Sequence, residues 1–266
     1  MGTSTAYEAP SSLQYLKTEV TNVAKEVAPV DDDLKQLVGH WVNELAPGLG
    51  VSLRLRQSDG AYVSNARDSN DSAGRSKTNT QSGSVATGRR ARSVAGSFAG
   101  FVSDVAANGL PAALKNIGLQ NLDGRSTFEV LLGVLDALGG EATTLEDVDV
   151  RSALADVQTE LFGDAETVEE LEVAIATRSG DVESILRTFF GYYVFQVFSR
   201  VFFERLVQRV GERRAHSFVG EIREFIFAAL ENKTSTQELR SVDWSSDSAR
   251  TFIDEILQTT LEVFST

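Results

Sequence analysis

The stretch DVESILRTFFGYYVFQVFSRVFFERLVQRV, from Asp181 to Val210, decides the fold. Eight of the fifteen residues from Phe189 to Phe203 are aromatic, out of 22 Phe, Trp and Tyr in the whole chain (15, 2 and 5). So much aromatic surface cannot stay in water, and the C-terminal half must be built to cover it. On a helix, Ile185, Phe189, Tyr192, Tyr193, Phe203 and Leu206 lie along one broad stripe. Leu186, Phe190, Val194, Val197, Val201 and Val207 cover much of the remainder. Only Arg187, Gln196, Arg200, Glu204 and Gln208 are left to seek water, so the pattern predicts the most buried helix of its domain. Gln196, Ser199 and Arg200 argue against a membrane span.

Downstream, Gly211 is the natural break. A penultimate helix follows to about Leu230, with Phe218, Ile222, Phe225 and Ile226 on one face. The loop ENKTSTQELRSVDW places Trp244 to plug an edge. A last helix spans about Ser246 to Phe264. Upstream, an ordered domain begins near Thr87, and Val94, Ala95, Phe98, Val102 and Val105 make a helix ended by Asn108-Gly109. Pro111 suits the first turn of PAALKNIGL. Asp123 or Ser126 caps STFEVLLGVLDAL, and Gly139-Gly140 stops it. A further helix starts at Thr144 or Val148 and runs to Phe162, and TVEELEVAIAT opens with the capping-box spacing of Thr167 and Glu170.

Toward the N-terminus, residues 1–10 read as a flexible tail. Residues 11–46 read as a helical hairpin, its first helix reaching about Val27 and its second starting at Asp31–Asp33, ended by Pro47-Gly48. Residues 51–55, VSLRL, alternate like one short strand that lacks a partner. Residues 57–88 are rich in Ser, Gly and Asn and lack the apolar periodicity that offsets ordering entropy, so they read as a disordered linker. The fold class expected is all-α: a multi-helix bundle around a buried aromatic-rich helix, occupying residues 89–266.

At 266 residues the chain can bury a sizeable core. Its net charge of −13 speaks against nucleic acid or anionic membrane as a partner of the acidic body. With no cysteine, disulfides, thiolate nucleophiles and Cys-based zinc sites are excluded, and a reducing cytoplasm fits. MGTSTAYEAP shows neither the basic nor the apolar region of a secretory signal. No apolar run reaches the length of a transmembrane helix.

Few residues point to chemistry. Residues 141–183 carry 13 acidic and two basic side chains, but Glu146, Asp147 and Asp149 fit no calcium-loop register, and Glu169, Glu170 and Glu172 resemble a solvated face. His40 and His216 stand far apart without zinc-protease spacing. Neither a nucleophile elbow nor a phosphate loop is present. No metal, cofactor or catalytic residue is expected. Arg89, Arg90 and Arg92 form the one basic cluster, read either as a contact for phosphate or an acidic partner, or as a solvated helix start or an internal mate for the acidic region. Gly2 follows Met1, so removal of the methionine leaves a free glycine amine with a pKa near 7.7–8, an unhindered nucleophile; Met-Gly starts without any such role are also common.

MGTSTAYEAP, GRRARSVAGSFAGFVSD and FFGYYVFQVFSRVFFERLVQRVGE with the VDW loop together resemble the QatB component of the Qat anti-phage defence system. The likeness covers the N-terminal tip and roughly residues 87–266. It implies a non-enzymatic defence component in the company of an ATPase, a QueC-like enzyme and a TatD-like nuclease. It further implies that Gly2 is the amine a QueC-like partner joins to a deazaguanine-type base, with Thr3 and Ser4 recognised beside it. The alternative is a plain helical scaffold or homo-oligomeric interaction protein without tail chemistry.

Overall fold

The computed structural model describes residues 11–26, 29–53, 55–56, 62–63, 86–120, 125–231, 244 and 246–264. Helices α1 (Ser11–Lys25) and α2 (Asp31–Leu45) form the N-terminal pair. Strands β1 (Leu55–Arg56) and β2 (Tyr62–Val63) follow, then α3 (Arg89–Asn108), α4 (Leu110–Asn116), α5 (Thr127–Gly139), α6 (Leu145–Phe162) and α7 (Val168–Arg178). A 3-10 turn at Ser179–Asp181 leads into α8 (Val182–Val210), and α9 (Glu212–Glu231) and α10 (Asp247–Glu262) close the chain. No helix among the described residues is long and apolar enough to cross a membrane.

The all-α bundle around the aromatic helix is what the structure shows. At 29 residues, α8 is about 43 Å long. Helices α6 and α9 flank it, and α1, α3 and α10 close around the rest. Phe189, Phe190, Tyr192, Tyr193, Phe198 and Phe202 are fully buried. Trp41 of α2 meets Phe202 edge-on at 5.3 Å between ring centroids, which joins the N-terminal pair to the same core as the C-terminal helices.

Local chemistry explains the boundaries. Ser126 and Thr144 each cap their helix through a reciprocal box, with Glu129 and Asp147. Thr167 accepts from the Glu170 amide as expected, but the Glu170 carboxylate takes the Glu166 amide rather than that of Thr167. Helix α1 ends at Lys25, short of Val27. The lone strand expected over 51–55 is also corrected: Val51 to Leu53 are irregular, and the strand is Leu55–Arg56, paired antiparallel with Tyr62–Val63. Of the linker expected over 57–88, residues 57–61 and 64–85 lie outside the described residues, as does the tail 1–10.

The polar residues of α8 correct a second expectation. Arg187, Gln196 and Arg200 are half-buried, and each has an acidic mate. Arg200 Nε lies 2.8 and 3.0 Å from the two carboxylate oxygens of Asp149, Gln196 donates to Asp156 at 2.6 Å, and Arg187 pairs with Glu183 one turn earlier. A polar group packed between helices needs a hydrogen-bond partner more than it needs water. Helix α6 supplies two of these three partners.

Candidate partner-docking site

The arginine cluster opens α3. The chain enters through Gly88 at φ +66°, a conformation that favours glycine. A Cβ there would stand 2.7 Å from Arg92 Nη1 and 2.9 Å from Leu49 Cδ2, so the close approach of the two chain segments requires the glycine as well. Beneath it, Glu146 accepts hydrogen bonds from the amide and hydroxyl of Thr87 at 3.1 and 2.6 Å. The other Glu146 oxygen accepts from the Tyr193 hydroxyl at 3.3 Å. Burial, reinforced by Glu146 and Asp149, pushes the Tyr193 phenol well above its ordinary pKa, so it stays a donor. The aromatic helix thus sets the position of the arginine loop through one carboxylate.

The three arginines do different work. Arg90 turns inward: Nη2 donates to the Gly139 carbonyl at 2.6 Å and Nε lies 3.4 Å from Asp147. Hydrogen bonds from the Thr144 hydroxyl and amide hold the Asp147 carboxyl below the usual carboxylate range, which keeps Arg90 supplied with a counter-ion. Arg92 bridges sideways, from the Leu49 carbonyl at 2.6 Å to Asp254 on α10. Arg89 is exposed and makes no hydrogen bond or ion pair among the described residues. It lines a cleft of about 600 Å³ together with Leu49, Thr87, Arg92, Arg250 and Asp254. Arg250 is itself largely exposed and pairs with Asp247 at 3.0 Å. The cleft therefore presents two outward guanidinium groups over a floor that Arg92 holds together.

Gly2, Thr3 and Ser4 lie outside the described residues. The helix that follows them is rooted in the body, because Leu13, Leu16 and Val20 of α1 are buried and α1 packs on α2 and α8.

Residue patterns missed a second polar constellation, where α6, α8 and α9 meet. Tyr192 donates to Glu160 and accepts from Arg223 Nη2 at 2.6 Å. The Arg223 guanidinium carbon also stands 5.2 Å from the Tyr192 ring centroid. Burial and then Glu160 push the Tyr192 phenol up to about 12. Burial raises Asp149 and Asp156 above the ordinary carboxylate value, opposed by Arg200 and Gln196 respectively. These groups satisfy one another across helix seams. The two histidines are separate: His40 Nδ1 lies 2.8 Å from Glu19, and the His216 ring packs against Phe203 at 4.8 Å. Among the described residues no three His, Asp or Glu side chains are grouped to hold a metal ion.

A family model described as Qat anti-phage system associated protein QatB matches residues 81–264, which contain α3 to α10 and the arginine cluster. No curated protein and no solved structure matches the chain.

Proposed function

The chain belongs to the QatB family of Qat anti-phage system associated proteins, and from that premise we propose that it is a non-enzymatic interaction body carrying a modifiable N-terminal glycine. After loss of Met1, the Gly2 amine is the nucleophile that a QueC-like partner joins to a deazaguanine-type base, and Thr3 and Ser4 are read beside it. A primary amine with a pKa near 7.7–8 is partly unprotonated at cytoplasmic pH and unhindered by a side chain, as such a coupling requires. The amine attacks a carboxyl carbon of the base that the partner has activated with a nucleoside triphosphate; the C–N bond forms as the bond from that carbon to the phosphate ester oxygen breaks, the nucleotide monophosphate leaves, and the amine proton passes to solvent. The ATPase and the TatD-like nuclease of the same operon are the other expected partners. The body's part is to present the tail and to dock, and Arg89 with its cleft is the docking element, facing acidic side chains of a partner.

The observation that carries this reading is the Met1-Gly2-Thr3-Ser4 tip on a chain of this family. Intact-mass and N-terminal peptide analysis, after co-expression with the neighbouring operon genes, tests it. A mass gain on the peptide that begins at Gly2, absent from a Gly2→Pro variant, is the expected result. An unmodified N-terminus together with no co-purifying operon protein overturns it.

A further inference from the structure

Helices α1 and α2 form an antiparallel hairpin with five residues between them. Glu19 and His40 mark its register, with Oε1 2.8 Å from Nδ1. Eight residues before Glu19 stands Ser11, the start of α1, and eight after His40 stands Gly48. Residues 46–50 continue the coil of α2, with the Leu49 amide donating to the Leu45 carbonyl at 3.2 Å, so both arms run about 12 Å from the Glu19–His40 contact. Leu13 and Leu16 on one arm and Leu45, Ala46 and Leu49 on the other are buried, as that register requires. The root of the tail therefore lies beside Pro47, Gly48 and Leu49, which line the arginine cleft together with Thr87, Arg89 and Arg250. The far end of α1 is held elsewhere. Arg214 of α9 donates to the Ala24 and Glu26 carbonyls, both at 2.8 Å, and Arg205 of α8 donates to the Thr21 hydroxyl at 3.3 Å. Nine residues, Gly2 to Pro10, separate the Gly2 amine from α1, a reach of at most about 30 Å.

We propose that the cleft and the tail form one recognition unit: the enzyme that modifies the Gly2 amine grips the cleft through acidic side chains while its active site takes the tail. This rests on the tail chemistry proposed above and gives the cleft to that one partner. Of the three expected partners, the modifying enzyme is the one that must sit within the tail's reach of the α1 root, and the cleft is the basic feature at that root. Charge selects the chemistry of the contact. Arg89 and Arg250 face outward on a chain of net charge −13, so an acidic surface that the rest of the body repels is drawn to this cleft. Once the enzyme is docked, the amine reaches its active site at the effective concentration of a short tether. Docking of this kind is uniform binding, so it lowers KM and leaves kcat unchanged.

The test uses the full chain after removal of Met1 and the purified QueC-like enzyme, supplied with its base and nucleoside triphosphate. Calorimetry reads the Kd of the two proteins, and intact mass over time reads KM and kcat for the gain on Gly2. The Arg89→Glu/Arg250→Glu variant is expected to raise Kd and KM by about tenfold or more at unchanged kcat. Arg209→Glu/Arg213→Glu makes the same change in net charge on exposed arginines at the turn between α8 and α9, and is expected to change neither. A free peptide of residues 2–11 lacks the cleft and is expected to show a similarly raised KM, which keeps the proposal falsifiable where the double variant misfolds. No binding of the enzyme to the wild-type chain overturns the proposal. So does a folded double variant with wild-type KM, an equal loss in the charge-matched control, or a free peptide as good a substrate as the chain. A double variant that loses the ATPase or the nuclease from co-purification and keeps the modifying enzyme overturns it too. Enzyme bound through the cleft with Gly2 left unmodified supports the docking and sinks the tail chemistry alone.

Discussion

The Arg92 side chain donates to the backbone carbonyl of Leu49 at 2.6 Å, closing 43 residues of chain onto themselves. The same guanidinium reaches Asp254, so one residue ties the end of the N-terminal pair, the start of α3 and the middle of α10 together. Arg92→Ala leaves a carbonyl without its charged donor and a carboxylate without its cation. A loss of about 1.5–3 kcal/mol is expected in urea denaturation. Arg89→Ala touches none of this and stays within about 0.5 kcal/mol of wild type. If Arg89 docks a partner, Arg89→Glu instead lowers co-purification with the operon proteins while the thermal midpoint holds.

The same closure lets the intervening connection be tested by shortening it. Leu49 and Gly88 approach so closely that a Cβ on Gly88 would collide with Leu49. Replacing residues 54–85 by a twelve-residue Gly-Ser linker gives a connection that reaches about 40 Å when extended. Shortening the loop lowers closure entropy, so stability is kept or rises by about 1 kcal/mol, measured as a thermal midpoint. A large loss would show that this segment contributes packing to the bundle.

How far the residues alone reach is clear from the boundaries and the seams. Pro111, Ser126, Thr144, Gly109 and Gly211 mark helix ends by local chemistry, and they act there as read. The aromatic density of α8 announces its burial because no other environment suits it. Pairings across the fold leave no such mark. Asp149 and Arg200 are 51 residues apart, and nothing local states that an acid on α6 waits for an arginine on α8. The polar face of α8 therefore reads as solvent-facing until α6 is placed beside it. Arg90 and Arg92 show the same limit: a run of arginines looks uniform in sequence, but the fold turns two inward and leaves Arg89 out.

Acid titration separates two kinds of carboxylate. Hydrogen bonds hold Asp147 below its ordinary value near 3.8, so its stabilisation is complete above that value and is lost as pH falls through the folded pKa. Burial raises Asp156, so its charge opposes folding at neutral pH and that cost vanishes as pH falls through its raised folded value. Asp147→Asn should destabilise by about 1 kcal/mol at pH 7 and by little in strong acid. Asp156→Asn should be neutral or stabilising at pH 7, because an amide can still bond Gln196, and the difference should close on acidification. Chemical denaturation at pH 7, 5 and 3.5 checks both signs, and a destabilising Asp156→Asn at pH 7 would sink the argument.

Two glycines on adjacent helices should respond oppositely. A Cβ on Gly191 of α8 would lie 2.6 Å from Leu230 Cδ1 and 3.4 Å from the Phe227 ring, so the close packing of α8 on α9 depends on the missing side chain. Gly220 of α9 has open space there. Gly191→Val overpacks the seam and should cost about 1–3 kcal/mol. Gly220→Ala only removes backbone entropy from the unfolded chain and should stabilise by up to about 1 kcal/mol. Thermal denaturation of the two variants beside the wild type reads the opposite signs.

Trp41 sets the last test, because it is fully buried with its indole N–H unpaired among the described residues. Its ring meets both Phe198 and Phe202 edge-on, at 6.0 and 5.3 Å between centroids. An orphan donor in an apolar core costs about 1–3 kcal/mol, which the packing of the ring must exceed. Trp41→Phe gives up part of the ring volume and also removes the orphan donor, so the two effects oppose and the net change should stay below about 1.5 kcal/mol. Phe198→Ala has no such compensation: it opens a cavity beside Trp41 and should cost about 3–5 kcal/mol. Urea titrations followed by circular dichroism compare the two without relying on indole emission. If Trp41→Phe costs as much as Phe198→Ala, the indole N–H is not orphaned and a partner for it exists in the folded chain.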